Sequence, residues 1–309
     1  MIKRILVIRG GALGDFLLTL PALKALRVVH PQARIEILGY PHIAAVADKR
    51  FYADAVRSIE YAALSRFFAR NADLPSELRD YFGGFDLILS YLYDPDQIFE
   101  NNLRQCGAQK ILRGPAQIDK NAPAAWQLAQ PLQELGINVV DLAAKVFPAS
   151  EDREFAGRFL ANCESPILAL HPGSGSEKKN WPIENWIELA KTFLNAKSFF
   201  LTIIFVSGEA DGKEVARLRT LFEHDPRVRF AHQLPLPELA AVLEKSTFIG
   251  HDSGISHLAA AAGASCFLLF GPTDPKVWAP QNTNARVLVA PNGDLTQLEV
   301  AAVCEAIGL

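Results

Sequence analysis

An aspartate follows a glycine-rich turn near the start of the chain, in the segment "RGGALGD" (residues 9–15). The apolar run before this turn predicts a buried strand, and the apolar periodicity after it predicts a helix. Gly11 and Gly14 permit a tight turn and the close approach of a ligand to the backbone. Asp15 could cap the helix or act as a general base, and both interpretations stay open.

This turn does not fit a dinucleotide-binding loop. Arg9 occupies the first glycine position of the G-x-G-x-x-G pattern. The second predicted strand contains Glu36 in its interior but has no acidic residue at its end, where a ribose hydroxyl would be bound. We therefore expect that the protein binds no nicotinamide cofactor.

A second polar loop, "HPGSGSEKKNWP" (residues 171–182), follows a predicted strand in the second half of the chain. Ser174, Gly175 and Ser176 form a flexible stretch rich in hydrogen-bond donors, which could surround phosphate oxygens. Either of the next two lysines, Lys178 or Lys179, could place an ammonium group on the same phosphate. The alternative is an ordinary solvated loop, and the segment does not contain a Walker A pattern.

A third segment, "IGHDSGISH" (residues 249–257), combines the end of a strand with the start of a helix. Asp252 or Ser253 can cap the helix, and Gly254 leaves its first backbone N–H groups accessible. Such a helix N-terminus is a site for anions. The alternative is a plain capped helix with His257 in the core.

Two further strand-end loops carry polar residues. Thr273 lies in "GPTDP" (residues 271–275), at the end of the next predicted strand. In "VSGEADGKE" (residues 206–214), Glu209 or Asp211 could accept hydrogen bonds from ribose hydroxyls, although a capping role explains these acids equally well.

Short apolar strands alternate with helices along most of the chain, which predicts parallel βαβ units and an α/β fold with two doubly wound domains. The predicted strands are residues 4–9, 34–38, 85–91, 109–113, 166–171, 199–208, 246–251, 264–271 and 285–290. The predicted helices are residues 14–29, 184–196, 211–222, 236–244, 254–262 and 295–308.

The stretch from about Gly114 to Glu164 shows no clear strand pattern and contains four prolines, so we interpret it as the region between the domains. We expect one domain over residues 1–160 and a second over residues 161–309. The terminal helix either stays with the second domain or packs back on the first.

The composition excludes several classes of protein. Half of the 309 residues are hydrophobic and the net charge is −3, which fits a globular protein and gives no electrostatic basis for nucleic-acid binding. The four cysteines show no metal-ligand spacing. The first apolar run is too short for a signal sequence and no stretch reaches membrane-spanning length, so we expect a cytoplasmic protein whose membrane contact is at most peripheral.

Three segments, in this order, resemble glycosyltransferase family 9, the ADP-heptose:lipopolysaccharide heptosyltransferases. They are "GGALGDFLLTLPAL", "HPGSGSEKKNWPIENWIEL" and "GHDSGISHLAAAAGASCFLLFGPTDPKVWAP". The resemblance implies a GT-B fold, in which two Rossmann-like domains face each other across a cleft. It implies an acceptor site in the first domain, a nucleotide-sugar site in the second, and metal-independent transfer with inversion at the sugar C1.

The resemblance also implies roles for individual residues. Asp15 matches the catalytic base, and Lys179 matches the lysine that neutralises the diphosphate in place of a metal ion. Asp211 matches an acid that binds ribose, although the turn "SGEAD" departs from the usual glycine-proline version. The other implied donor-binding residues are Ser174, Gly175, Ser176, Asp252, Ser253, Gly254 and His257, and we expect Gly11, Gly14 and Thr273 near the cleft.

We therefore expect an inverting glycosyltransferase that moves a heptose from an ADP-linked donor to a lipid-anchored saccharide of the lipopolysaccharide core. It would need no cofactor and no metal, and it would work in the cytoplasm or at the inner face of the bacterial inner membrane. Two alternatives stay open. One is another GT-B enzyme acting on a nucleotide sugar, such as a 2-epimerase or a transferase with a different donor. The other is a non-enzymatic protein that binds nucleotide sugars.

Overall fold

The structure is a computed structural model that describes residues 2–196 and 202–308. The chain divides between Leu142 and Ala143 into two compact units, each of which is built around its own parallel sheet.

The first unit alternates strands and helices from its beginning. Its strands are β1 (Arg4–Arg9), β2 (Arg34–Gly39), β3 (Ala55–Ser58), β4 (Leu87–Ser90) and β5 (Ile111–Arg113). Its helices are α1 (Leu13–Val29), α2 (Pro41–Ala44), α3 (Ser76–Gly83), α4 (Ile98–Gln105) and α5 (Ala124–Ala129).

The first sheet has the strand order β3-β2-β1-β4-β5, with all of its neighbours parallel. The interior of β1 is completely buried, because helices cover both faces of a parallel sheet and its strands are therefore apolar on both sides. The strand order reverses between β1 and β4, and the loops that leave these two strands lie at the edge where such sheets bind ligands.

The second unit repeats this plan with one more strand. Its strands are β6 (Ile167–His171), β7 (Thr202–Ser207), β8 (Val228–His232), β9 (Thr247–His251), β10 (Ser265–Phe270) and β11 (Ala285–Val289). Its helices are α6 (Ser150–Phe159), α7 (Ile183–Asn195), α8 (Gly212–Phe222), α9 (Leu236–Leu243), α10 (Gly254–Ala262), α11 (Pro275–Trp278) and α12 (Val300–Ile307).

The second sheet has the order β11-β10-β9-β6-β7-β8, again with parallel neighbours. Its order reverses between β6 and β9, which pair from Leu168–Thr247 to His171–Gly250. The loops that follow these two strands are therefore brought together by direct strand pairing.

The predicted α/β class and the doubly wound arrangement are confirmed. Two strands, β3 and β8, were not predicted. β3 and β8 are edge strands and only partly buried, so their sequences lack the continuous apolar run that marks a central strand. Of the predicted strand 199–208, residues 199–201 lie outside the described residues, and the rest corresponds to β7.

The division between the units falls earlier than the expected boundary at residue 160. The segment after Leu142 already belongs to the second unit, because the Val146 N–H donates to Ala261 O at 3.0 Å and α6 packs on α9. The sequence left open whether the terminal helix packs on the first or on the second domain. Helix α12 contacts α7 in the second unit. The reason is apolar burial, since Val303 is fully buried in the core around Trp181 and Trp186.

Replacing Val303 with alanine should destabilise the second unit. The change removes two methyl groups from a fully buried position and leaves a cavity. We expect the free energy of unfolding to fall by about 2 kcal/mol. Urea unfolding monitored by tryptophan fluorescence would measure this loss, and Val140→Ala is the control, because Val140 is 83% exposed. Equal stability of the two variants would contradict the burial of α12.

Candidate functional site

The candidate site of the second unit is built from loops at the carboxyl edge of its sheet. One loop leaves β6 and contains residues 172–181, and the other joins β9 to α10. Because β6 and β9 are paired neighbours, these loops are adjacent even though about 70 residues separate them along the chain. A third loop, after β10, contains Thr273.

An ion pair joins the first two of these loops. Lys179 Nζ lies 2.7 Å from Asp252 Oδ2, and the Thr273 hydroxyl donates to the same oxygen at 2.8 Å. The Asp252 side chain is only 10% exposed, whereas Lys179 is 30% exposed. The carboxylate therefore fixes the ammonium group of Lys179 at the sheet edge. Lys178, the other candidate lysine, is exposed on the same turn.

The serines of the 172–181 loop hydrogen-bond within the loop itself. Ser174 Oγ lies 2.5 Å from Asn180 Oδ1 and 2.8 Å from the carbonyl oxygen of Ser176. Gly175 has φ +73°, which is the left-handed conformation that favours glycine. This residue lets the chain reverse over a short distance, so that Ser176 remains exposed beside the lysine.

The N-terminus of α10 has the predicted cap. Ser253 is the N-cap residue, and its Oγ accepts the backbone N–H of Ser256 at 3.3 Å. Gly254 is the first helical residue, and the orphan N–H groups and the positive end of the helix dipole lie at this end. His257 is buried within the first turn, so the capping role and the buried histidine proposed as the alternative are both present.

Asp211 is buried next to the same edge, at the end of β7. Its Oδ2 accepts the Gly208 N–H at 2.7 Å and lies 3.7 Å from Nε2 of His171. Burial alone would raise the pKa of Asp211, but the His171 ring and the Gly208 N–H outweigh it and hold that pKa below its ordinary value. Glu209, the alternative acid in this turn, is exposed.

His171 was missed by the sequence analysis. Its Nδ1 lies 3.4 Å from Ser253 Oγ, and its Nε2 faces Asp211, so it connects the β7 turn with the cap of α10. Its position as the last residue of a buried strand was an available signal, because strand ends place side chains at the ligand-binding edge.

The first unit places Asp15 at the start of α1. Asp15 Oδ2 accepts the Ala12 N–H at 3.2 Å, as expected for a capping acid. Its Oδ1 lies 3.7 Å from Arg9 Nη2, and the side chain is 40% exposed. The N-cap residue of α1 is Ala12, so Asp15 is not the N-cap; from the third helical position its Oδ2 instead satisfies the N-cap N–H, while Oδ1 remains within reach of a ligand. Gly11 has φ +96° and lies against this carboxylate, and Gly14 is inside the first turn of α1.

Arg9 is a second residue that the sequence analysis missed as a site component. Its guanidinium donates to the carbonyl oxygen of Asp15 at 3.0 Å and lies 5.3 Å from the ring centre of Tyr91. Burial lowers the pKa of Arg9, although Asp15 and Tyr91 act in the opposite direction. Arg9, Asp15 and Tyr91 line a pocket of about 430 Å³ within the first unit, together with Tyr40 and Phe68.

Neither a metal cluster nor a membrane span is found in the part of the chain that the structure describes. Residues 2–196 and 202–308 contain no group of three or more His, Cys, Asp or Glu side chains that could hold a metal ion. Within the same ranges, no helix has the length and apolar character needed to cross a membrane.

Comparison with known proteins gives consistent matches. The family model for glycosyltransferase family 9 (heptosyltransferase) matches residues 116–306. Among curated proteins, lipopolysaccharide heptosyltransferase 1 of Escherichia coli strain K12 is 25% identical, with 98% of this chain and 99% of that protein covered.

Solved structures match over nearly the whole chain. A family 9 glycosyltransferase from Veillonella parvula DSM 2008 has a TM-score of 0.80 at 21% identity, covering 99% of this chain and 96% of that one. The E. coli heptosyltransferase WaaC, whose structure was solved with ADP, has a TM-score of 0.72 at 20% identity, covering 99% of each chain. At these identities the likeness shows the fold, and it confirms the predicted GT-B architecture.

Alanine at position 173 should disturb the second-unit site. A Cβ on Gly173 would lie 1.8 Å from Asp211 Oδ1, so the buried carboxylate would have to move. We expect Gly173→Ala to lower the free energy of unfolding by about 2 kcal/mol. Gly212→Ala is the matched control, because a Cβ there meets nothing within 4 Å and the residue is helical. Urea unfolding of both variants measures this loss, and an unchanged free energy of unfolding in Gly173→Ala would contradict the contact.

Proposed function

Because this chain belongs to glycosyltransferase family 9, the heptosyltransferases, we propose that it transfers a heptose from ADP-heptose to a saccharide of a lipopolysaccharide core. The observation that carries this proposal is the Lys179–Asp252–Thr273 cluster beside the N-terminus of α10. A positioned ammonium group and free backbone N–H groups together form an environment suited to a diphosphate.

The donor is proposed to bind in the second unit, with its diphosphate between the 172–181 loop and the start of α10. Ser174, Gly175, Ser176 and Lys179 would contribute from the first of these loops, and Asp252, Ser253, Gly254 and His257 from the second. Asp211 would accept hydrogen bonds from the ribose hydroxyls. Its buried carboxylate is held ionised, which suits an acceptor of two hydroxyl donors.

Lys179 is proposed to take the part that a divalent metal ion plays in other transferases. When the bond between the sugar C1 and the diphosphate oxygen breaks, the negative charge of the leaving ADP increases. A fixed ammonium group and the dipole of α10 stabilise that charge without reorganisation at the moment of reaction. The transfer is therefore proposed to be independent of metal.

Asp15 is proposed to be the general base on the acceptor side. The acceptor hydroxyl oxygen attacks C1 from the face opposite the leaving group, its proton moves to Asp15 Oδ1, and ADP departs with the bonding electron pair. Such a displacement inverts the configuration at C1. This role is supported by the partial exposure of the Asp15 side chain and by Arg9, whose Nη2 lies 3.7 Å from Oδ1.

The first unit is proposed to bind the acceptor, with its aromatic-lined pocket beside Asp15 as the place for a saccharide ring. The enzyme is proposed to act in the cytoplasm, at the inner face of the inner membrane, on a lipid-anchored acceptor. The lipopolysaccharide acceptor is supported by curated relatives that carry the name lipopolysaccharide heptosyltransferase.

Calorimetric titration with ADP, UDP and GDP tests the donor site. We expect ADP to bind with a dissociation constant on the order of micromolar, and we expect that EDTA leaves this affinity unchanged because Lys179 replaces a metal ion. Preference for UDP or GDP would overturn the ADP donor while keeping the fold. Loss of ADP binding in EDTA would overturn metal independence.

The same titration with two lysine variants provides the matched control. Lys179→Gln should weaken ADP binding by about tenfold to a hundredfold, since it removes a charge-assisted hydrogen bond to the diphosphate. Lys178→Gln changes the exposed neighbouring lysine and should bind ADP like the unaltered protein. Equal effects of the two substitutions would show that only the general positive charge of the loop matters.

Asp15→Asn should separate chemistry from donor binding. We expect kcat to fall by about 10²–10⁴-fold because the general base is lost, with the affinity for ADP unchanged. The measurement is heptose transfer to truncated lipopolysaccharide cores, with the anomeric configuration of the product determined by NMR. Asp73→Asn, at a 96% exposed carboxylate of the same unit, is the control.

Two outcomes would contradict this assignment. Full activity of Asp15→Asn would exclude the base. Conversion of ADP-heptose to another nucleotide sugar in the absence of acceptor would indicate a donor-modifying enzyme such as an epimerase.

A further inference from the structure

His251 occupies a position that the proposed reaction does not use. It is the last residue of β9, immediately before Asp252, and it is fully buried. The backbone N–H of Trp181 donates to His251 Nε2 at 2.8 Å, and His251 Nδ1 lies 3.3 Å from the carbonyl oxygen of Gly173. One imidazole ring therefore contacts both ends of the loop that carries Lys179.

These contacts determine the tautomer of the ring. A backbone N–H can only donate, so Nε2 must be the unprotonated nitrogen. Nδ1 then carries the proton of the neutral ring and donates it to Gly173 O. Burial lowers the pKa of His251 to about 3, with a further contribution from His171. The ring is thus neutral at physiological pH, as both of its hydrogen bonds require.

The surroundings hold the ring in this orientation. The Trp186 ring meets it edge-on, with 5.2 Å between centroids, and Trp181 packs on Trp186 in a similar geometry. The hydroxyl of Ser256, in the first turn of α10, donates to the carbonyl oxygen of His251. The side chain of His251 therefore contacts the 173–181 segment, and its main chain contacts α10, whose N-terminus is the candidate anion site.

We propose that His251 is a positioning residue for donor binding, whose neutral ring fixes both ends of the 173–181 segment against β9 and so places Lys179 beside Asp252. This proposal rests on the proposed function only for the identity of the ligand. The ring holds the diphosphate-binding loop in place before the donor binds. An apolar side chain at this position would bury the Trp181 N–H and the Gly173 carbonyl without their partners, which is costly.

Three substitutions separate the two hydrogen bonds. His251→Phe keeps a ring of similar shape and removes both bonds. His251→Gln can place an acceptor near the position of Nε2 and so retain the bond from Trp181, while His251→Asn can retain only the bond to Gly173. Phe222→Leu is the matched control for stability, because it removes buried apolar volume from the same core on α8, outside both loops.

The first measurement uses the ligand-free protein. Selective ¹⁵N labelling of tryptophan gives four backbone amide signals, and hydrogen exchange is followed at Trp181 and Trp186. We expect exchange at Trp181 to be about tenfold faster in His251→Phe than in the unaltered protein and His251→Gln, since one hydrogen bond is lost. The Trp186 amide, which bonds to Pro182 O, should change little and serves as the internal reference.

The second measurement is calorimetric titration with ADP, alongside the melting temperature of each variant. We expect His251→Phe to bind ADP about tenfold more weakly, His251→Gln to lie within about threefold of the unaltered protein, and His251→Asn to lie between them. Phe222→Leu should lower the melting temperature without changing ADP affinity. Recovery by glutamine is the result that a purely structural role would not produce.

Three results would overturn the proposal. These are unchanged Trp181 exchange in His251→Phe, unchanged ADP affinity despite faster exchange, and a loss of affinity in Phe222→Leu equal to that in His251→Phe. If His251→Phe does not fold, the glutamine and asparagine variants decide, because equal affinities in those two would overturn it. Failure of the unaltered protein to bind ADP would instead refute the proposed donor. The hydrogen-exchange measurement would still report whether His251 holds the 173–181 segment against β9.

Discussion

The pairing of β6 with β9 is the constraint on which the rest of the second unit depends. It brings the loop after β6 and the start of α10 side by side, although they are far apart in sequence. Without this adjacency, Lys179 would have no carboxylate partner at 2.7 Å, and Thr273 would not complete the cluster. The crossover connections of a doubly wound sheet make the arrangement possible, because each helix returns the chain so that every parallel strand ends at the same edge of the sheet.

Charge at this edge is arranged in pairs. Asp252 is matched by Lys179, and Asp211 is matched by Gly208 N–H and faces His171. Buried carboxylates are costly unless they are paired or hydrogen-bonded, so each acid fixes the groups around it. A ligand that brings its own negative charge would then meet an ammonium group, a helix N-terminus and backbone donors that already have defined positions, which is the requirement for electrostatic stabilisation of a leaving diphosphate.

In the first unit the candidate site also lies where loops leave the central strands of a parallel sheet. Asp15 contacts both the helix and the pocket, since one carboxylate oxygen accepts the Ala12 N–H at the start of α1 while the other lies near Arg9. Arg9 is held from below by the Tyr91 ring, whose hydroxyl donates to Leu128 O at 2.7 Å. Aromatic side chains form much of the remaining pocket wall, a surface suited to the apolar faces of sugar rings.

Local patterns in the sequence were sufficient for the fold class, the central strands and the polar loops that follow them, because a buried parallel strand needs a continuous apolar run and a helix start needs a small or capping residue. The family's motifs then supplied roles for Asp15, Lys179 and the Asp252 loop. The edge strands β3 and β8 were not predicted, because half-buried strands have a weaker apolar pattern than central strands. The family's motifs already favoured Lys179 over Lys178 and, less securely, Asp211 over Glu209. Only the tertiary structure shows that Asp211 is buried beside His171 while Glu209 is exposed. It alone also places Arg9, His171 and His251 in or beside the candidate sites, since a partner about 70 residues distant along the chain becomes a neighbour only when the sheet has formed.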